Sequence, residues 1–361
     1  MSWVGTLYRG EHNIDFPRLW KRTAIVSATL VLISLLSFAA RGVNLGIEFE
    51  GGTSWEVPAS GVSVADVRDA LRGTGAADAK IQTVGGDTIR VRAGVESPEA
   101  IDRVRDTLAE MAGAETNDVS VTNVGPSWGK EITSKARTAL VWFFVIVALY
   151  IAVRLEWKMA AGALLAVAHD IVISVGFYSV FQFEITPATV IAFLTIMGYS
   201  LYDTIVVYDK VREVAGRVGA TGRYTYTEMM NLSLNQVMMR SINTSITSVL
   251  PVLSMLVIGS FLLGALTLQE FAIALLIGLI VGAYSSLFIA SAVVAWWKER
   301  EPEHQQVARR VRSRTGNESA TRRITAEDAA GVPAAPGRSP RPRPSPTGAP
   351  PRPRKKKKRK R

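Results

Sequence analysis

Four ionisable residues stand where a hydrocarbon interior would make their charge expensive, and with them this sequence could do chemistry. Asp203 interrupts the otherwise uncharged run from Ile185 to Tyr208, His169 and Asp170 interrupt the run from Met159 to Phe183, and Arg240 opens the uncharged stretch Ser241–Gln269. Insertion scales put a charge at the centre of a membrane helix at about 2.5–3.5 kcal/mol, so each invites a functional explanation. Helical spacing sets Thr195, Tyr199 and Ser200 on the same face as Asp203, a polar stripe that must look at protein or water. Arg240 shares its face with Gln236, Asn243, Thr244 and Thr247. An arginine stays charged at any relevant pH, whereas an aspartate can neutralise. A fixed cation that alternately pairs with and releases a carboxylate would couple proton uptake to a change of shape. Arg240 is the expected partner of Asp203, and His169 with Asp170 is a candidate second member of a proton relay. The bland alternatives stand beside these readings: two carboxylates that only fasten helices through hydrogen bonds, and an arginine that only anchors an interface.

These residues need helices long enough to cross a bilayer, roughly 20 residues for a 30 Å core. Thr23–Ala40 and the 16 uncharged residues between Arg137 and Arg154 supply two, and the runs around His169/Asp170, around Asp203, after Arg240 and from Phe271 to Trp297 supply four more. Asp203 would lie about 9 Å inside one end of the fourth span, and His169 and Asp170 near the middle of the third. Lys and Arg gather before span one, between spans two and three, between spans four and five, and after span six. The loops around Phe181–Pro187 and Gly264–Glu270 have none. The positive-inside rule then places both termini in the cytoplasm of a cytoplasmic (inner) membrane protein. The first apolar run is too long, and lacks the small-residue site, for a cleaved signal. In span six, Gly278 and Gly282 form a GxxxG that permits close helix approach.

The remaining chain divides into residues 1–22 on the cytoplasmic side, an outer domain at 41–136, and a tail at 298–361 expected to be disordered. Within the outer domain a helix over Val62–Arg72 and strands at Lys80–Val84 and Thr88–Arg92 about a Gly85-Gly86-Asp87 turn precede a Pro-initiated second helix from Ser97. A last strand follows at Val119–Val124. With Ser54–Val57 in front, the order is βαββαβ, a small ferredoxin-like α+β unit. The fold class is therefore a six-span polytopic helical membrane protein with one such domain.

Composition removes other chemistries. The chain of 361 residues has no cysteine and three histidines far apart in sequence, which excludes disulfides and thiol nucleophiles and argues against a metal site. Residues 301–361 carry 18 Lys and Arg against 5 Asp and Glu, so the net charge of +11 belongs to the tail. That tail suits anionic lipid or a ribosome surface more than a specific nucleic acid. No paired aspartates at matched depth and no Ser–His pair suggest an intramembrane hydrolase. No enzyme activity and no cofactor are expected.

The segments Gly46-Ile47-Glu48-Phe49-Glu50-Gly51-Gly52, Val124–Glu131, Ala168-His169-Asp170, Gly198–Asp209, Asn235-Gln236 with Arg240-Ser241, and Gly282–Ser286 together resemble the SecF family of the bacterial Sec protein-export system. The resemblance covers roughly residues 20–297 and leaves out the tail. It implies that Asp203 is the proton-pathway aspartate and Arg240 the essential arginine, that SecD supplies a further transmembrane aspartate, and that the outer domain meets emerging preprotein. It also implies the SecYEG translocon, and a YidC-type insertase, as further partners. Glu48 and Tyr202 depart from the family's usual Asp and Asn. The expected function is proton-driven assistance to late protein export. The rivals are a noncatalytic scaffold of the translocon and a small-molecule or lipid half-transporter, for which the outer segment leaves little room.

Overall fold

The structure is a computed structural model and describes residues 14–59, 61–84, 87–262 and 265–315. Six helices are long and apolar enough to cross a membrane: span one, Phe16–Arg41; span two, Ser127–Arg154; span three, Trp157–Phe181; span four, Pro187–Val218; span five, Tyr226–Gly259; and span six, Thr267–Lys298. Several start on local signals. The Asp15 side chain accepts from the Arg18 amide at the head of span one, and Thr186–Thr189 and Thr225–Glu228 form capping boxes ahead of spans four and five. Span five carries Pro251 and finishes in a π-helical stretch, Met255–Leu262, and span six contains a π-helical turn at Ser286–Ala290.

Spans three, four and six bury half of their most apolar stretches, whereas spans one, two and five bury 11%, 6% and 11%. The first three therefore form the centre of the bundle, and the others present Leu, Ile, Val and Trp side chains outward. The GxxxG of span six faces span four. A Cβ at Gly278 would overlap the Ile196 side chain, and one at Gly282 would sit 2.9 Å from Ser200 Cβ. Gly278→Val is expected to force spans four and six apart, at a cost of about 1–3 kcal/mol for overpacking. A lowered thermal unfolding temperature of the detergent-purified protein reads this out, and Gly198→Ala, which meets nothing within 4 Å, is the control.

Between spans one and two lies the α+β domain. Its strands are β2 (Gly52–Pro58), β3 (Lys80–Val84), β4 (Thr88–Ala93) and β5 (Ser120–Val124); β1 (Asn44–Leu45) is the short strand before them. They form one antiparallel sheet in the order β3-β4-β2-β5, with helices Val64–Ala70 and Pro98–Ala112 completing the βαββαβ expected from sequence. Trp55, Val57, Val67, Leu71, Ile89, Val91, Val104 and Leu108 fill its core. At the head of β2, Gly52 has φ +116 and a Cβ there would lie 2.8 Å from the Ala93 carbonyl oxygen, so glycine is required twice over. The Gly85-Gly86 turn lies outside the described residues.

The domain meets the bundle at the turn after span three. β1 pairs in parallel with β6 (Glu184–Ile185), and the Gly46 amide donates to the Ile185 carbonyl. Three further differences from the sequence reading appear. Span one begins at Phe16, ahead of Arg18, Lys21 and Arg22. Span four continues ten residues past Tyr208, carried by ion pairs such as Lys210–Glu213 and Arg212–Asp209, so Asp203 sits at the middle of the helix. Finally, Pro302–Thr315 is a helix inside the segment expected to be disordered, with Ala308 and Val311 buried; residues 316–361 lie outside the described residues.

Candidate functional site in the membrane bundle

The site is built from spans three, four, five and six, where Gly278 and Gly282 bring spans four and six together. With no side chain on Gly282, span six approaches span four at Ser200, and Ser285, one turn further on, reaches span three. Asp170 receives both hydroxyls: Ser200 Oγ donates to Asp170 Oδ2 at 2.6 Å and Ser285 Oγ donates to the same oxygen at 2.8 Å. His169 Nδ1 lies 3.1 Å from Asp170 Oδ1, and its Nε2 is buried without a hydrogen-bond partner. Asp170 thus ties spans three, four and six together. On the span-two side it borders an apolar cavity of about 270 Å³ lined by Leu140, Phe144, Ile171, Phe193 and Met197.

Asp203 lies one turn along the same face of span four. It is 8% exposed. Ser241 Oγ of span five donates to its Oδ1 at 2.8 Å, and its Oδ2 is buried with no hydrogen-bond partner. Next to it, Thr204 shares a hydrogen bond of 2.9 Å with Ser286, whose hydroxyl also reaches the Ser200 carbonyl at 3.2 Å. Tyr208 donates to the Ala290 carbonyl at the end of the π-helical turn of span six, where the irregular ladder leaves an acceptor to be satisfied. The hydroxyls near Asp203 therefore belong to three different spans, four, five and six.

The expected Asp203–Arg240 pair is not formed. Arg240 is exposed, and its Nη2 approaches the Tyr202 hydroxyl at 3.4 Å, itself on an exposed side chain. Arg240 and Asp203 are on adjacent spans, but the side chain that turns inward is that of the neighbouring residue, Ser241. Of the other sequence-selected residues, Tyr199 accepts from Ser248 of span five at 3.0 Å, and Thr244 donates to the Arg240 and Ser241 carbonyls within its own helix. Gln236, Asn243 and Thr247 are exposed with Arg240, so the polar face of span five is open in this chain alone. Sequence reasoning missed Ser241 as the partner of Asp203 and Ser285 as a partner of Asp170. The signal for both was a serine beside a residue already selected, in runs where small polar residues stand among apolar ones. No group of three or more His, Cys, Asp or Glu suited to a metal occurs among the described residues.

Comparison with known proteins decides the family. The model for the C-terminal region of the protein export membrane proteins SecD and SecF matches residues 103–300, and the SecD/SecF GG motif matches residues 36–60. The protein translocase subunit SecF of Streptomyces coelicolor is 38% identical over 91% of this chain and 90% of its own length. The chain belongs to the SecF family. The SecF subunit of Mycobacterium tuberculosis is 39% identical over 88% of this chain and 74% of its own. In three dimensions the SecF-family chain is similar to SecDF of Thermus thermophilus, described as a translocon-associated membrane protein, with a TM-score of 0.72 and 32% identity. That likeness covers 81% of this chain and 39% of the other, so the SecF-family chain spans well under half of SecDF. Within the two matched regions fall the GG pair, Asp170, Asp203, Arg240 and the serines that serve them.

Proposed function

We propose that this chain acts with SecD as an auxiliary of the Sec translocase, using the proton gradient across a bacterial inner membrane to promote late steps of protein export. The observation that carries the reading is the state of Asp203. A permanently ionised carboxylate buried in a bundle should find donors for both oxygens. Asp203 has one donor, Ser241, and one buried oxygen with none, inside span four and next to the Thr204–Ser286 hydroxyl pair. Such a group can hold a proton in one arrangement of the helices and give it up in another. Asp170 with His169 serves as a second station, and Arg240 biases the exchange from the edge. The test is whether export in membranes carrying Asp203→Asn still responds to an imposed proton gradient.

The open face of span five supports the two-subunit arrangement. Gln236, Arg240, Asn243 and Thr247 do not suit lipid and would be covered by SecD, which would bring Arg240 into a protein–protein seam. The Lys and Arg distribution favours cytoplasmic termini and an outer position for the α+β domain, where it would meet emerging preprotein. SecYEG and a YidC-type insertase are the neighbours this role requires.

Arg240→Met is expected to lower gradient-stimulated export by roughly 5- to 150-fold, the range of an ordinary coupling free energy, while gradient-independent export persists. Arg240→Lys keeps the charge and loses the planar fork, and should fall between. Vesicle import assays with and without a gradient check both. Equal activity of all three would favour a scaffold.

A further inference from the structure

The α+β domain and the membrane bundle each have an apolar core, and no residue of the membrane helices joins that of the domain among the described residues. At its entry the domain is tied to the bundle by the β1–β6 pairing and by Val43, Leu45 and Phe49, which pack on the bundle's apolar core; across the sheet face, what joins them is ionic. Arg90 of β4 donates through Nε to Glu56 at 2.7 Å, and through Nη1 to Glu184 at 2.9 Å and to Glu270 at 2.6 Å. Arg92 Nη1 donates to the other oxygen of Glu184 at 2.7 Å and to the Leu45 carbonyl at 3.0 Å. Glu184 lies in the turn between spans three and four, and Glu270 in the first turns of span six, so two arginines of one strand hold all three central spans. Beside them, Gln82 of β3 donates to the Gln182 carbonyl at 3.2 Å, and Gln182 is itself in the left-handed region at φ 54.

Two features set this junction apart from a tightly packed apolar interface. A polar cavity of about 390 Å³, reaching Glu48, Ser54, Thr122 and Thr267, flanks the ionic column. A second of about 340 Å³, between Ile81 and Val84 of the domain and Phe181 and Ile273 of the bundle, flanks it too. Burial also works against the ions. It pushes the Glu184 carboxyl up against the pull of Arg92 and Arg90, with Glu270 adding to the rise, and it pushes Arg92 down; only Arg90, facing Glu270, Glu56 and Glu184, is held above its ordinary value. Buried ion pairs fix geometry while returning little net stability, because desolvation offsets attraction. Interfaces without a large apolar area permit relative motion of their domains.

We propose that Arg90 and Arg92, with Glu184 and Glu270, form a release clasp: the domain docks on spans three, four and six through these ions and must undock from them as a unit during export. The proposal rests on the reading that this chain promotes proton-driven export, and it takes the domain to move in that cycle. It adds that the docked state is this one, and that Glu184, in the turn joining the spans that carry Asp170 and Asp203, is where a change in the bundle reaches the domain.

The chain has no cysteine, so single cysteines report without background. Ser54→Cys lies at the polar cavity and is 7% exposed when docked. In the assembled complex, its reaction with a water-soluble maleimide should be slow and should accelerate about tenfold or more when Arg90→Gln is added, because removing one partner leaves the other buried charges uncompensated. An unchanged rate overturns the clasp. Because Arg90→Gln could disturb folding, a second arm leaves the ions intact: Gln82→Cys with Gln182→Cys, joined by a short cleavable bifunctional reagent. Bridging should halt export and cleavage should restore it; full export by the bridged protein overturns the requirement to undock. The labelling arm uses no proton gradient. Faster labelling with Arg90→Gln alongside a gradient-responsive Asp203→Asn would therefore sink the proton reading and leave the docked junction standing.

Discussion

Membranes carrying Asp203→Asn are expected to export preprotein at one rate whether or not a proton gradient is present, and that rate should match the unmodified protein without a gradient. Asparagine is nearly isosteric, and its carbonyl can still accept from Ser241, so the contact between spans four and five survives. Only the ability to take up and release a proton goes. A membrane potential contributes about 2.3 kcal/mol per elementary charge per 100 mV, roughly fiftyfold in an equilibrium constant, so losing one coupled proton removes a large bias and not a marginal one. Gradient-driven import into inverted vesicles measures it directly. If the variant retains the full response, the half-satisfied carboxylate is a structural feature and the scaffold reading takes its place.

Much of the architecture was legible because it is dictated by short-range pattern. Apolar length marked the six spans, period-two and period-3.6 alternation with Gly, Pro and Ser signals marked the βαββαβ domain, and the GxxxG of span six does mark a close approach. Asp203, Asp170 and His169 stood out because charge in an apolar run is rare. The failures at the candidate site concern which side chain meets which across space. Arg240 looked like the partner of Asp203 by charge, but helix rotation turns Ser241 inward and leaves the guanidinium outside. The clasp was hidden for a related reason. Arg90 and Arg92 alternate with Ile89 and Val91, a pattern that reads as an ordinary solvated sheet face, and nothing local says that this face lies against Glu184 and Glu270, about a hundred residues or more away. The helix at Pro302–Thr315 was obscured by the composition of the segment behind it, although Ala308 and Val311 have the spacing of a buried seam.

Asp170 offers the second large effect, and two substitutions there separate its roles. Its carboxylate accepts from Ser200 and Ser285 and contacts His169, so Asp170→Ala strands two buried hydroxyls and an imidazole at the crossing of spans three, four and six. Interhelical hydrogen bonds in membranes average about 0.6 kcal/mol and reach about 1.7, so losing two should cost about 1–3 kcal/mol, seen as a lower unfolding temperature of the purified protein. Asp170→Asn keeps the volume and one accepting oxygen, and its stability should stay within about 1 kcal/mol of the original. If Asp170 is a second proton station, the asparagine variant, though stable, must lose gradient-stimulated export as Asp203→Asn does. If it is only a fastening, that variant exports normally and responds to the gradient. The same pair of measurements on His169→Gln completes the argument. His169 Nε2 is buried without a partner, so a relay through the ring would need an acceptor brought to it by a helix movement; a relay predicts a partial loss of gradient response at unchanged stability, whereas a fastening predicts no loss.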